Sequence, residues 1–296
     1  MEPAIAQLED LARTDPTIRL LARLQAAVLR AAADPAWEQA VPPFVPARLP
    51  GGVPLLHEQT LRVDGARVAD LLRHLAGLAA EEAAERVRPL RRALDARTLD
   101  PLACLQATVM QDTAQLEALA GQAEVAPALL ATLAHMAALP LLQACGRQAA
   151  PLLEGVAWGR GYCPVCAAWP TLAELRGLER RRWLRCGRCG AGWTLPPQQC
   201  AFCGTSAHEA LGYLAPEAQR EARRAETCEQ CRSFLQTLAT LGPLAPAEVL
   251  LQDLTTVELD VAALEQRYGR PEAPGFRLVV RLEPAAPRNG WRRWWR

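Results

Sequence analysis

Four Cys-x-x-Cys pairs constrain this chain more than any other feature of its sequence. They contain eight of the ten cysteines: Cys163, Cys166, Cys186, Cys189, Cys200, Cys203, Cys228 and Cys231. A Cys-x-x-Cys turn places two sulfurs on the same side of a tight loop, and two such turns complete a tetrahedral metal site. The four pairs, called knuckles below, therefore predict two sites that each hold one iron or zinc ion through four thiolates.

Other roles for the cysteines fit the sequence less well. A thioredoxin-type redox pair needs a single motif within a βαβ pattern, whereas this chain repeats the motif four times. Structural disulfides are disfavoured because the chain shows no secretory signal, and thiols stay reduced inside cells. Since four protein ligands leave no open coordination position, metal-assisted hydrolysis is not expected.

The spacing of the knuckles favours pairing in chain order. Sequential pairing leaves nineteen residues between Cys166 and Cys186, and twenty-four between Cys203 and Cys228. Both lengths suit a small zinc-ribbon or rubredoxin-like lobe. The glycine-rich stretch 182–194 predicts a β-hairpin that carries the second knuckle. A cross-braced arrangement, first knuckle with third and second with fourth, stays open.

The rest of the chain predicts helices. Asp15-Pro16 and Asp100-Pro101 each place an N-cap acceptor before a proline suited to a first helical turn, and apolar stripes follow at helical spacing. Beyond the last knuckle, helices are predicted at 233–241 and at 246–268, with Gly269 as the stop. The predicted architecture is an all-α domain (1–157), two metal lobes (158–195 and 196–242), and a C-terminal helix with a tail (243–296).

Two segments of the sequence bear on where the protein is located in the cell. The acidic N-terminus lacks the pattern of a signal peptide, so a cytoplasmic protein is expected. Residues 125–146 contain no charge, but Pro127, Pro140 and many alanines favour a buried core helix over stable membrane insertion.

The usual catalytic motifs are missing from the sequence, which shows no Gly-rich phosphate loop, GxSxG or HExxH. The histidines are scattered, at His57, His74, His135 and His208. Cys104 and Cys145 stand alone in predicted helices and are interpreted as small buried apolar residues. The sequence therefore predicts a protein that is not an enzyme.

Several segments are candidates for contact with a partner. The aromatic residues beside the knuckles are Trp169, Trp183, Trp193 and Phe202. The proline-rich connector 40–54 contains Pro42, Pro43, Phe44 and Pro46, and is interpreted first as a packed connector. The basic aromatic tail 291–296 is interpreted as a frayed end or, alternatively, as a weak anchor.

Two alternative functions follow from metal lobes. Rubredoxin-like electron transfer requires iron, and red, redox-active protein would support it. Nucleic-acid binding by a zinc ribbon is disfavoured because the small excess of arginine over acids in residues 158–231 is outweighed by two tetrathiolate sites. Only a cluster on one face would revive that alternative, formed by Arg180, Arg181, Arg182, Arg185 and Arg188.

Longer motifs around the knuckles resemble a known family. They read GYCPVC at 161–166 with WP at 169–170, RWLRC at 182–186, CAFCG at 200–204, AETCEQC at 225–231 and DLTTVELD at 253–260. These are similar to the FdhE formate dehydrogenase accessory proteins. Ala167 and Ala168 depart from the family, which usually shows Gly and Ser there, and the linker between the first two knuckles looks short.

The resemblance implies a helical domain followed by two rubredoxin-like lobes, each with iron or zinc. It also implies a cytoplasmic protein that binds the catalytic subunit of respiratory formate dehydrogenase and assists its maturation before export. Neither nucleic acid nor membrane insertion is expected, and a homodimer is left open.

Overall fold

The computed structural model describes residues 1–219 and 221–285. Its helices are α1 (Glu2–Thr14), α2 (Arg19–Ala32), α3 (Gly65–Asp95), α4 (Pro101–Met110), α5 (Thr113–Gln122), α6 (Pro127–Ala149), α7 (Pro246–Thr255) and α8 (Val257–Glu265). Its strands are β1 (Gln59–Val63), β2 (Leu172–Arg176), β3 (Arg181–Arg185), β4 (Gly192–Thr194), β5 (Leu211–Leu214), β6 (Arg223–Cys228), β7 (Ser233–Thr240) and β8 (Val280–Pro284).

The chain divides into two compact units. Among the described residues, the helical unit contains residues 2–43, 56–145 and 278–285, and the cysteine unit contains Met1 with residues 44–55 and 146–277. The predicted division at residues 157, 195 and 242 stays a prediction. The tail at 291–296 lies outside the described residues.

Aspartate caps set the starts of two helices in the helical unit. The Asp100 carboxylate accepts a hydrogen bond from the Leu102 amide at 2.9 Å, and Pro101 occupies the first turn of α4, as predicted. Asp64 caps α3 in the same way. The predicted helix start at Asp15-Pro16 is wrong: Asp15 accepts from the Thr17 amide in a turn, and α2 begins only at Arg19.

The helical unit also holds a small sheet that the sequence did not predict. Strands β1 and β8 pair in parallel, with Leu61 opposite Leu282. The Leu282 amide donates to the Gln106 side chain at 2.9 Å. Strand β1 lies within the region predicted as all-α and β8 within the predicted tail, and each has only five residues, which explains why the pattern was missed.

The uncharged stretch forms a long, mostly buried helix. Among the described residues, only Pro127–Leu153 is long and apolar enough to cross a membrane by length and composition, and its most apolar 18-residue window has a mean hydropathy of 1.6. In its most apolar window, 67% of the residues are buried. That burial agrees with the predicted core helix.

The cysteine unit is built on one six-stranded sheet with the order β4-β3-β2-β7-β6-β5. The predicted hairpin is confirmed, since β3 and β4 pair antiparallel across the second knuckle. Strands β5, β6 and β7 form an antiparallel set on the other side. The two sets join where β2 and β7 run parallel, with Leu172 opposite Gln236. Strands from both predicted lobes therefore share a single hydrogen-bonded sheet.

The helix predicted at 233–241 is wrong, because this segment forms β7. Its first six residues are all buried, so the strand lacks the alternation of a half-exposed strand, and its apolar spacing suggested a helix instead.

The helix predicted at 246–268 is also corrected. It is interrupted at Thr256, whose hydroxyl bonds Gln236 at 2.9 Å and the Gln252 carbonyl at 2.7 Å. The second part, α8, ends at Glu265 with Gln266 as the C-cap, so Gly269 is not the stop. Gly269 instead donates its amide to the Arg232 carbonyl beside β7.

Candidate metal centres

The eight knuckle cysteines form two tetrads, paired in chain order. The first tetrad is Cys163, Cys166, Cys186 and Cys189, and the second is Cys200, Cys203, Cys228 and Cys231. Within each tetrad all four sulfurs lie within 4.8 Å of one another. The preferred sequential pairing agrees with this geometry, and the cross-braced alternative does not. No other group of three or more potential ligands occurs in the described parts of the chain.

The sulfur spacing fits a tetrahedral ion. Cys163 and Cys189 are 3.4 Å apart, Cys166 and Cys186 3.5 Å, and both measured pairs of the second tetrad 3.7 Å. Four sulfurs at about 2.3 Å from a central ion would lie about 3.8 Å from each other. A disulfide needs a separation of about 2.05 Å, and none of the ten cysteines forms one. The donor set therefore suits zinc or iron, each held by four thiolates.

The four knuckles share one backbone geometry. In the first, the Cys163 carbonyl accepts from the Ala167 amide at 3.1 Å, and the Cys163 amide donates to Ala168. The second and third knuckles repeat these two bonds from Cys186 and Cys200. The residue after the second cysteine is left-handed in every knuckle, at Ala167, Gly190, Gly204 and Arg232. This conformation closes the turn and leaves both sulfurs pointing to the same side.

A close approach at the end of α6 supports the first tetrad. A Cβ built on Gly146 would lie 1.8 Å from the Cys189 carbonyl oxygen. Only glycine therefore lets the end of α6 touch the second knuckle. This role had no signal in the sequence, since Gly146 follows an ordinary helical pattern.

A buried ion pair lies beside the first tetrad. Glu174 on β2 is fully buried and accepts hydrogen bonds from Arg185, Arg176 and the Leu244 amide. Arg185 also donates to the Gly190 carbonyl at 3.1 Å, so it holds the second knuckle from behind. Burial raises the pKa of Glu174, but the hydrogen bond from Arg176 and the charge of Arg185 outweigh burial and lower it overall. A lone acid within the apolar strand was the only sequence signal for this pair.

The two tetrads differ in their exposure to solvent. All four cysteines of the first tetrad are buried. In the second tetrad Cys203 is exposed and Cys231 is half-buried. Solvent and small molecules therefore reach the second tetrad more easily.

The candidate contact aromatics have varied settings. Trp193 is buried and donates to the Arg160 carbonyl at 2.9 Å. Trp169 packs edge-on against Phe202, with ring centroids 5.4 Å apart, and donates to the Ala273 carbonyl. The Arg176 guanidinium stacks on Trp183 at 4.3 Å. Their predicted role in partner contact stays a prediction.

The connector 40–54 is packed, as first interpreted. Phe44 and Leu49 are buried, and the Gly52 carbonyl accepts from the Tyr162 hydroxyl at 2.8 Å. Pro43 and Pro46 are exposed, and Pro42 is half-buried.

The two isolated cysteines and the four histidines differ in their burial. Cys104 and Cys145 are fully buried, as interpreted. His208 and His135 are exposed, whereas His57 and His74 are half-buried. Burial lowers the pKa of His74, and nearby Arg30 adds to the effect.

The arginine cluster does not form an exposed basic face. Arg182, Arg185 and Arg188 are buried. Arg180 pairs with Glu221 at 2.5 Å, and Arg181 with Glu179 at 2.7 Å. The condition that would have revived nucleic-acid binding is therefore not met.

Comparison with known proteins finds a family model, a curated relative and a solved structure that match this chain. Residues 198–275 match the family model described as FdhE, C-terminal domain. A curated relative, Protein FdhE homolog of Aquifex aeolicus (strain VF5), is 32% identical over 59 residues, which is 19% of this chain and 21% of the relative. The matched segment thus spans about a fifth of that relative's length.

The third match is a solved structure, the crystal structure of the FdhE protein from Pseudomonas aeruginosa. It aligns with a TM-score of 0.54 and 24% identity, over 92% of both chains. This likeness shows the fold. Together with the two tetrads, it confirms the predicted multidomain architecture of a helical N-terminal region and two ribbon-like lobes.

Proposed function

We propose that this chain belongs to the FdhE family and is a non-catalytic accessory protein that binds the catalytic subunit of formate dehydrogenase and assists its maturation. The family supports the accessory role. Binding of the catalytic subunit in the cytoplasm is the finer part of the proposal.

The observation that carries the proposal is the pair of tetrads on one continuous sheet. Four cysteines fill each tetrahedron, so a bound ion would have no vacant position for a substrate. Zinc or iron in these sites would cross-link the knuckles and fix the loops between them. The result is a stiff surface, which suits recognition of another polypeptide better than chemistry on a small molecule.

The test is capture of the catalytic subunit by the full chain, with metal content measured in parallel. Wild-type protein should carry two ions and retain the subunit. Cys186→Ser should lose the ion of the first tetrad, and Cys186→Ser combined with Cys228→Ser should lose both ions and the capture. Cys104→Ser is the matched control, since Cys104 is buried in α4 of the helical unit and belongs to neither tetrad.

If capture survives the loss of both ions unchanged, the metal lobes are not the docking surface. If wild-type protein fails to capture the subunit, the proposed function is wrong. Light scattering of the wild-type protein, alone and with the subunit, tests the homodimer that the sequence left open.

Electron transfer is the second candidate, and the exposure of Cys203 favours it. Iron in the second tetrad would be accessible to a redox partner. Tyr162, Trp169 and Phe202 also form a line of ring contacts, at 6.4 and 5.4 Å, between residues adjoining the two tetrads. Red protein that bleaches reversibly with dithionite would support this candidate, and colourless zinc protein would exclude it.

A further inference from the structure

An open groove lies in the cysteine unit between α8 and the segment that follows β5. Its volume is about 690 Å³, and its lining includes Leu214, Pro216 and Ala262 as apolar residues and Glu217, Glu258 and Glu265 as acids. We call it the α8 groove. None of the residues that line it is a knuckle cysteine.

Helix α8 presents apolar residues on two opposite sides. Leu259 and Ala263 are buried in a cluster with Phe234 and Ala225 of the sheet. Val257, Val261 and Leu264 recur at helical spacing on the outer side and are 45%, 50% and 59% exposed. The residues Glu258, Ala262 and Glu265 of α8 line the groove and lie on the side of the helix between these two faces.

Strand β5 borders the groove through Tyr213 and Leu214. It is the outermost strand of the sheet and pairs only with β6 among the described residues. An outermost strand can accept a further strand through main-chain hydrogen bonds, while its side chains select the sequence that binds. An extended peptide is therefore the form of ligand that fits beside β5.

The charge of the groove selects a basic ligand. Glu217 and Glu265 are exposed, and neither forms an ion pair within the described residues. Glu258 pairs with Arg223 at 2.8 Å. Glu265 also lies in the last turn of α8, where the helix end itself favours a cation.

We propose that the α8 groove binds an extended segment of a partner polypeptide that carries both apolar and basic side chains. The apolar side chains cover Leu214, Pro216 and Ala262, and the basic ones pair with Glu217 and Glu265. This inference deepens the proposed function, on which it rests for the existence of a polypeptide partner.

Fluorescence anisotropy of a labelled peptide that alternates leucine and arginine tests the proposal on the full chain. The peptide should bind the wild-type protein, and added salt should weaken that binding because the ion pairs are exposed. A peptide that alternates leucine and glutamate should not bind. Methylating alternate backbone nitrogens of the arginine peptide should also weaken binding, since it removes the amides that would pair with β5.

Variants of the groove locate the site. Glu217→Arg combined with Glu265→Arg should weaken binding by roughly fivefold or more, the size expected from two exposed ion pairs. Glu272→Arg is its control, because Glu272 is an exposed acid outside the groove. Ala262→Arg should also weaken binding, since Ala262 lines the groove, whereas Leu178→Arg should not, since Leu178 is 98% exposed in the turn after β2.

Three outcomes would overturn the proposal. One is equal binding of the leucine-arginine and leucine-glutamate peptides. Another is unchanged affinity in the groove variants. A third is tighter peptide binding after removal of residues 286–296, because the basic tail of this chain would then be the occupant.

Failure of this proposal can be distinguished from failure of the proposed function. If the groove variants bind the peptide normally while wild-type protein still captures the catalytic subunit, only the groove is wrong. If the peptide results hold but the catalytic subunit is not captured, the groove stands and the proposed function fails.

Discussion

Each knuckle depends on one left-handed residue, and in the first knuckle that residue is an alanine. Ala167 has a φ of 61°, where a residue with a Cβ is disfavoured by about 1–2 kcal/mol. Glycine removes this strain, but it also has more freedom in the unfolded chain, which offsets part of the gain. We therefore expect Ala167→Gly to raise the free energy of unfolding by about 1 kcal/mol. Denaturant unfolding of metal-loaded protein measures this change.

The third knuckle offers the reverse substitution as a control. Gly204 has a φ of 75°, and only the end of the Gln199 side chain would lie near an added Cβ. Gly204→Ala should therefore lower the free energy of unfolding by about 1 kcal/mol through backbone strain alone. A destabilised Ala167→Gly protein would contradict this account of the knuckles.

Gly146 limits what the end of α6 can carry. A methyl group there would collide with the Cys189 carbonyl, so Gly146→Ala should lower the free energy of unfolding by about 3 kcal/mol and weaken metal binding at the first tetrad. Gly121→Ala is the matched control, because nothing lies within 4 Å of its added Cβ in α5. That change should stabilise by about 1 kcal/mol. Thermal unfolding and metal-to-protein ratios distinguish the two variants.

The carboxylate of Glu174 in strand β2 is fully buried. Removing one partner of a buried ion pair leaves the other uncompensated, so Glu174→Gln should cost about 3 kcal/mol. Glu179→Gln should have little effect, since Glu179 is exposed. Denaturant unfolding at neutral pH measures both variants.

The same carboxylate gives stability a dependence on pH. The folded state lowers the pKa of Glu174, so its stabilisation is complete above the unfolded value of about 4.3 and is lost as the pH falls through the folded value. Wild-type protein should therefore lose more stability on acidification than Glu174→Gln. Parallel curves for the two proteins would show that the carboxylate does not carry this dependence.

The elements that the sequence predicted correctly are those with local signals. Asp100-Pro101 starts α4, and the glycines and tryptophans of 182–194 form the hairpin. Strand β7 was missed because burial on both sides removes the alternation that identifies a strand. The break at Thr256 depends on a bond to Gln236, twenty residues away, which no local pattern reveals.

The candidate site was predicted almost entirely from cysteine spacing, because each knuckle is a local turn. What spacing could not show is its support: Glu174 and Arg185 meet across neighbouring strands, and Gly146 approaches from a distant helix. Nor could spacing show the unequal exposure of the tetrads, since exposure depends on what packs over each loop.

If each tetrad is loaded with one ion, the whole molecule should release the two ions at different rates. Cys203 is exposed in the second tetrad, whereas the first tetrad is buried, so a chelator should remove one equivalent of metal well before the other. Cys228→Ser should abolish the fast phase and Cys163→Ser the slow one. Chelator absorbance recorded over time gives both phases, and a single phase in wild-type protein would contradict the expectation.

The parallel junction between β2 and β7 has a consequence for synthesis on the ribosome. Strand β2 ends at Arg176, whereas β7, its parallel neighbour, begins only at Ser233. Strand β2 therefore emerges well before β7 covers that edge. During that interval an apolar strand edge is open to other nascent chains. A chain stopped after the second knuckle would keep that edge open permanently. Such a truncated chain should therefore aggregate when it is expressed.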